Sequence, residues 1–218
     1  MSRVLYKLRS VKRDNLADIE VLNLMAYHPL VMKAKGYWQR GFDFEKNVNL
    51  SDVDKGYFAS NRIVSRRKSD IFYGVSDPTG LLVGWVWFYA DKQHPLPTGV
   101  QTRLGVNTTN ANIYQISYEK LMSKDWPIAL LEKMVHVRRR ELLKPRKGVI
   151  VEGLRLAIGR VKRAYQKIYA VKRRLVFYAF THPTNIASKK VLEKNGFVKE
   201  KRKYAYDSVP HYLWIKVV

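Results

Sequence analysis

Nine consecutive residues, Arg146-Lys147-Gly148-Val149-Ile150-Val151-Glu152-Gly153-Leu154, set a glycine and two cations where a long amphipathic pattern begins. A helix head leaves backbone N–H groups without partners, and the aligned peptide dipoles add partial positive charge there. With cations beside it, such a head is an anion site, and a pyrophosphate is its natural guest. A Lys-Gly pair before a helix is also a common turn, so this run needs a second element to define a site. That element lies one helix and one strand later, in Thr181-His182-Pro183-Thr184-Asn185-Ile186-Ala187-Ser188-Lys189-Lys190-Val191-Leu192-Glu193-Lys194-Asn195-Gly196-Phe197. Other chemistries are missing. The chain has no cysteine, which excludes disulfides, thiolate metal sites and a catalytic thiol. No His/Asp/Glu cluster has ligand spacing, so no metal is expected, and no Ser–His–Asp arrangement can be argued.

The elements that must position these runs follow from periodicity and turn chemistry. Residues 4–11 read as a first strand. Asp14 caps a helix over 15–26, with Leu16, Ile19, Leu22 and Leu24 broadly on one face. Residues 33–49 are irregular, and 52–61 form a second helical piece. Residues 71–75 and 82–90 make a β-hairpin around Asp77-Pro78-Thr79-Gly80. Residues 94–110, dense in Pro, Gly and Asn, read as a surface loop. Residues 111–121 form a strand with Ile113, Gln115 and Ser117 on one face and Tyr114, Ile116 and Tyr118 on the other. Helix is expected over 125–143, with a short strand at 134–137 as the alternative. A clear amphipathic helix covers 148–170, followed by a buried strand at 175–180. A helix over 185–195 closes at Gly196, and strands at 197–199 and 212–218 end the chain. This order describes an α/β sandwich around a mixed sheet.

With 218 residues, 46% of them hydrophobic, the chain suits a single domain spanning 1–218. Lys and Arg number 41 against 18 Asp and Glu, a net charge of +23. Such a field favours RNA, ribosomes or other polyanions. The cations at 138–140, 144, 146, 147, 163 and 172–174 are too many for one cofactor, although a solvated face is the plainer reading. Residues 1–12 hold no apolar leader core. The longest apolar runs, 81–90 and 175–180, fall short of the roughly 20 residues needed to cross a bilayer. A soluble, cytoplasmic protein without a membrane partner is expected.

The 181–197 run resembles the C-terminal signature of the GNAT acetyltransferase superfamily, with its Asn after a strand, Ala-Ser pair, Leu-Glu-Lys and Gly-Phe at these intervals. The Gly148 run then falls where that family's pyrophosphate loop belongs. The two runs cover residues 144–197; the N-terminal half matches only in its coarse pattern of strands. The resemblance implies a GNAT-like mixed, splayed central sheet flanked by helices, with a cofactor-binding core at about 111–218 and an insertion at 122–144. It implies acetyl-CoA as co-substrate and transfer of its acetyl group to an amine. Arg146, Lys147, Gly148, Val149 and Ile150 would cradle the pyrophosphate, and Asn185 and Ser188 would contact the pantetheine or adenosine side. Three positions depart from the pattern. Pro145 offers no side-chain donor, Ile150 stands where Gly or Ala is usual, and Leu192 replaces a Tyr that serves many members as general acid. The leucine form resembles the branch of ribosomal-protein N-terminal acetyltransferases.

In that chemistry an amine loses a proton, attacks a thioester carbonyl and expels a thiolate. Glu119, near the end of the 111–121 strand, is the first candidate base, directly or through a water, and Tyr118 is a candidate proton donor. Their plainer readings are a strand-end carboxylate and a core tyrosine; His136 and His182 stand in reserve. The acceptor, whether an amine of a protein, of an aminoacyl-RNA or of a small molecule, is not legible, nor is the oligomeric state. The alternative from another class is a non-catalytic basic RNA- or ribosome-binding protein on a degenerate GNAT scaffold.

Overall fold

The computed structural model describes residues 5–11, 15–27, 70–90, 92–122, 131–132, 134–168, 173–206 and 208–218. The expectations for Asp14, for 33–49 and for 52–61 lie outside them. Seven strands form one sheet: β1 (Lys7–Arg9), β2 (Ile71–Ser76), β3 (Leu82–Tyr89), β4 (Ala111–Lys120), β5 (Arg174–Thr181), β6 (Val198–Tyr206) and β7 (Val209–Val217), in the order β1-β2-β3-β4-β5-β7-β6. Only the β4–β5 pair is parallel. The helices are α1 (Leu16–Tyr27), α2 (Thr98–Leu104), α3 (Arg139–Leu142), α4 (Val149–Ile168) and α5 (Ile186–Lys194). The mixed, helix-flanked sheet expected from the sequence is therefore present.

The β2–β3 turn is built by Asp77, whose Oδ1 accepts the N–H groups of Thr79 (3.0 Å) and Leu81 (3.2 Å). This local ring competes with extended pairing and reverses the chain. Helix α4 buries Leu154, Ala157, Ile158 and Val161 against the sheet. Its opposite face carries exposed Arg155, Arg160, Lys162 and Arg163. Helix α4 is the crossover that a parallel pair such as β4–β5 requires. It packs on β1, β2, β3 and β4; α1 packs on β3 and β4 too, and so takes the other face.

Three expectations need correction. The 94–110 segment is no surface loop: it contains α2, and Leu96, Val100 and Val106 are buried in a second core with Val176, Tyr178, Leu213 and Ile215. Apolar residues at 96, 100 and 104 recur every fourth position, a helical signal masked by the surrounding Pro and Gly. The helix expected over 125–143 is, among the described residues, interrupted across 134–138. Its amides go elsewhere. The Glu20 carboxylate accepts the N–H groups of Val135 (2.9 Å), His136 (3.1 Å) and Val137 (3.1 Å), which a continuous helix would have used internally. The alternative strand at 134–137 does not form either. The closing strands are longer than expected, nine residues each, and pair as a hairpin.

Candidate active site

The parallel seam between β4 and β5 is short. It runs from Ala111↔Arg174 to Gln115↔Tyr178 and stops. Both strands continue past that point with their outer neighbours: β4 stays paired to β3 as far as Lys120, and β5 to β7 as far as Thr181. Residues 116–120 and 179–181 thus diverge and leave a wedge in the middle of the sheet, the splay expected from the sequence.

The head of α4 sits beside this wedge. Gly148 adopts φ +72°, a left-handed conformation that a side chain strains. Its carbonyl accepts the first helical bond, from Glu152 N–H (2.9 Å). The N–H groups of Val149, Ile150 and Val151 have no hydrogen-bond partner among the described residues. The side chains of Val149 and Ile150 are buried and turn toward Gly84 of β3. A Cβ at Gly84 would lie 2.9 Å from Ile150 Cδ1 and 2.9 Å from the Glu119 carbonyl, so only glycine lets the helix head come this close to the diverging end of β4. Tyr6 donates to the Lys147 carbonyl (3.0 Å).

Arg146 departs from its expected role. Its side chain is 6% exposed; it pairs with Asp77 Oδ2 (3.4 Å) and donates to the carbonyls of Glu141, Leu142 and Lys144. The guanidinium is an internal strut between the β2–β3 turn and the loop before α4, and is not free to hold a phosphate. Asn185 likewise acts as N-cap of α5, its Oδ1 accepting Ser188 N–H (3.0 Å). Lys189 is bound to the Pro183 carbonyl (2.5 Å).

Tyr118 and Glu119 are adjacent and point to opposite faces of β4. On the α4 face, Tyr118 crosses the wedge and donates to the Ser188 carbonyl of α5 (3.2 Å). Burial pushes its phenol pKa well up, only partly offset by that bond, so the hydroxyl stays protonated across the physiological range. On the other face Glu119 is buried and accepts a bond from Trp85 Nε1 (3.1 Å). His136 is bound to Glu20 (2.7 Å) and His182 to Thr184 (2.7 Å); both serve local structure.

Two residues that sequence reasoning passed over belong to this region. Gln115 ends the parallel seam on the Glu119 face. It is 3% exposed, its Nε2 reaches Tyr206 Oη at 3.4 Å, and its Oε1 is buried without a partner among the described residues. An aromatic group lies beside it, with Tyr206 against His94 (4.2 Å between centroids) and Phe180 (5.0 Å). The second is Asn195, which donates to the Val151 carbonyl (3.2 Å) and fixes α5 to the first turn of α4. A buried polar residue without a motif, like Gln115, leaves no signal in one sequence; the burial of Asn195 beside Gly196 was concealed by the capping pattern.

Solved structures share this architecture. Ribosomal-protein-S5-alanine acetyltransferase from Vibrio fischeri aligns over 100% of this chain and 95% of its own, with a TM-score of 0.52 and 16% identity. An aminoglycoside acetyltransferase solved with coenzyme A aligns over 97% and 94%, with a TM-score of 0.54 and 15% identity. An acetyltransferase of the GNAT family from Bacillus anthracis aligns over 99% and 96%, with a TM-score of 0.50 and 15% identity. No family model matches the chain, and no curated protein does. The fold is that of the GNAT acetyltransferases.

Proposed function

We propose that this chain is an acetyl-CoA-dependent N-acetyltransferase, acting as one domain in the cytoplasm. One observation carries the reading: the parallel seam ends beside a helix head whose first three amides are unpaired. A pyrophosphate fits that head, because three N–H donors converge there, the dipole is favourable, and a Cβ at Gly148 would meet nothing within 4 Å. Gly148, Val149, Ile150 and Val151 hold the anion through backbone, and exposed Lys147 adds charge. Asn185 and Ser188 shape the α5 side of the wedge. Bound there, the co-substrate supplies an activated acetyl group.

The faces of β4 divide the proton work. On one side Glu119, with Gln115 Oε1 orienting the amine, takes the proton of the attacking nitrogen. On the other Tyr118 gives a proton to the departing sulfur, the part left vacant by Leu192. General acid or base help of this kind contributes on the order of 10²–10⁴ in rate. The amines acted on by the neighbours differ, a ribosomal-protein alanine in one and an aminoglycoside in another. The acceptor here is therefore given as an amine of a protein, an aminoacyl-RNA or a small molecule.

The non-catalytic alternative is weaker. Pro145 costs little when the donors are amides, Ile150 is turned into the core away from the anion, and Leu192 is a core residue at 0% exposure whose lost hydroxyl Tyr118 replaces. Calorimetric titration with acetyl-CoA tests the binding half: the protein binds, and an absence of heat overturns the reading. Kinetics test the rest. Tyr118→Phe lowers kcat about a hundredfold with KM for acetyl-CoA little changed, and an unchanged kcat removes Tyr118 from the mechanism.

A further inference from the structure

The second half of α4 and the edge strand β1 enclose an open groove of about 690 Å³. Its lining includes the apolar Leu8, Leu156 and Ala164 and the cations Lys7, Arg160, Arg163 and Lys167. Among the described residues no carboxylate lines it. Among the described residues Lys7, Arg163 and Lys167 have no acidic partner. Arg160 rests over the Tyr73 ring at 5.2 Å. The only acid of α4 is Glu152, already paired with Arg155 (2.5 Å) at the other end.

We propose that this groove is a binding site for the sugar-phosphate backbone of RNA, separate from the acetyl-transfer site and independent of it. Three observations favour this ligand. Arg160, Arg163 and Lys167 recur at i, i+3 and i+7, so they form one row along the helix. Seven residues at 1.5 Å make that row about 10 Å long. A row suits successive phosphates of a strand, whereas a single small anion is held by converging donors. The helix dipole accounts for a cation in the last turn, Lys167, but not for Arg160 and Arg163 deeper in the helix. The groove, with apolar residues in its lining, admits a strand with its sugars, which a flat lipid surface would not reach. Tyr6, the aromatic residue in the lining, is 7% exposed and offers no face for base stacking. Recognition is therefore electrostatic and indifferent to sequence. Tyr6 stands at the end of the groove nearest the helix head, and the cationic row on α4 begins twelve residues past Gly148, about 18 Å along the axis, so RNA and acetyl-CoA bind together.

The test uses the full chain and a labelled 20-nucleotide oligouridine, with fluorescence anisotropy across a series of KCl concentrations. The double variant Arg163→Glu/Lys167→Glu changes the net charge by −4. Lys194→Glu/Lys201→Glu makes the same change at exposed positions on α5 and on β6, the opposite edge of the sheet. The groove variant loses at least tenfold in affinity near 100 mM KCl. Its slope of log affinity against log salt falls by about 1.4, two contacts at ~0.7 each. The control loses less than threefold, and oligoadenine behaves as oligouridine does. The milder Arg163→Ala/Lys167→Ala pair repeats the result should the reversal disturb folding. Equal losses in both charge-reversed proteins, no RNA binding by the parent, or preferential binding to phosphatidylserine vesicles overturns the proposal. Coenzyme A titration of the same proteins keeps the two readings apart: RNA binding without coenzyme A binding would refute only the acetyltransferase.

Discussion

The two ends of α4 make opposite use of the same helix. At its head most neighbouring side chains are committed, Arg146 to Asp77, Val149 and Ile150 to the core, Tyr6 to the Lys147 carbonyl, and of the cations there Lys147 is exposed. What remains available is mainly backbone. Toward its tail the amides are consumed by the helix, and the side chains of Arg163 and Lys167 are exposed and unpaired among the described residues. An anion at the head meets fixed donors that need no reorganisation, so geometry selects it. An anion at the tail meets long, mobile cations, so charge selects it. On the two proposals one helix carries a specific site and a permissive one, and variants should separate them.

The largest effect is expected from Asp77→Ala. It strands the buried Arg146 charge and dismantles the β2–β3 turn, and removing one partner of a buried pair costs about 3–5 kcal/mol. Urea denaturation measures it; a loss under 1 kcal/mol would mean that the strut is ornamental. Next is Gly148→Glu, which sets a carboxylate on the helix head and a side chain at φ +72°. Coenzyme A affinity falls a hundredfold or more by calorimetry while RNA affinity holds within threefold. Parallel losses would erase the distinction between the ends.

A smaller effect comes from alkaline pH. Burial raises the Tyr6 phenol above its ordinary value near 10. A raised folded-state pKa gives stability that is full below the unfolded value and lost as pH climbs through the folded one. The urea midpoint therefore declines above about pH 10, and Tyr6→Phe declines less, because its head carries no phenol to ionise beside Lys147. A decline of the same size in the variant would place the titration elsewhere. The smallest effect belongs to the tail: Lys167→Ala changes stability by no more than about 0.5 kcal/mol, since nothing in the fold leans on it.

This contrast also explains what the sequence discloses. Periodicity exposed α4, α5 and most strands because burial repeats at fixed intervals, and the Asn185–Phe197 run carried the family resemblance because its residues are contiguous. The committed state of Arg146 was invisible: its partner Asp77 is 69 residues away, and an Arg before a Lys-Gly reads as a phosphate ligand until the fold joins it to a turn. Gln115 was legible as a strand residue facing with Ser117, but not as the last rung of a seam. The interruption of the 125–143 helix depended on a carboxylate at Glu20, more than a hundred residues upstream. Local patterns are written in order along the chain; the struts that tune a site join distant positions.

The five-rung parallel seam bears on assembly. On one side of it β2 to β4 pair antiparallel in chain order with β1 added at the edge, and on the other β5, β7 and β6 pair antiparallel. The pairs within β2–β4 and within β5, β7 and β6 join residues closer along the chain than the seam does, whereas the seam and the β1–β2 pair, Lys7 to Ser76, both close long loops, the slow class of step. Folding is then expected to zipper β2–β4 and β5–β7–β6 first, with β1 and the seam docking late and amide protons at Asn112–Gln115 gaining protection after those of β2 and β6.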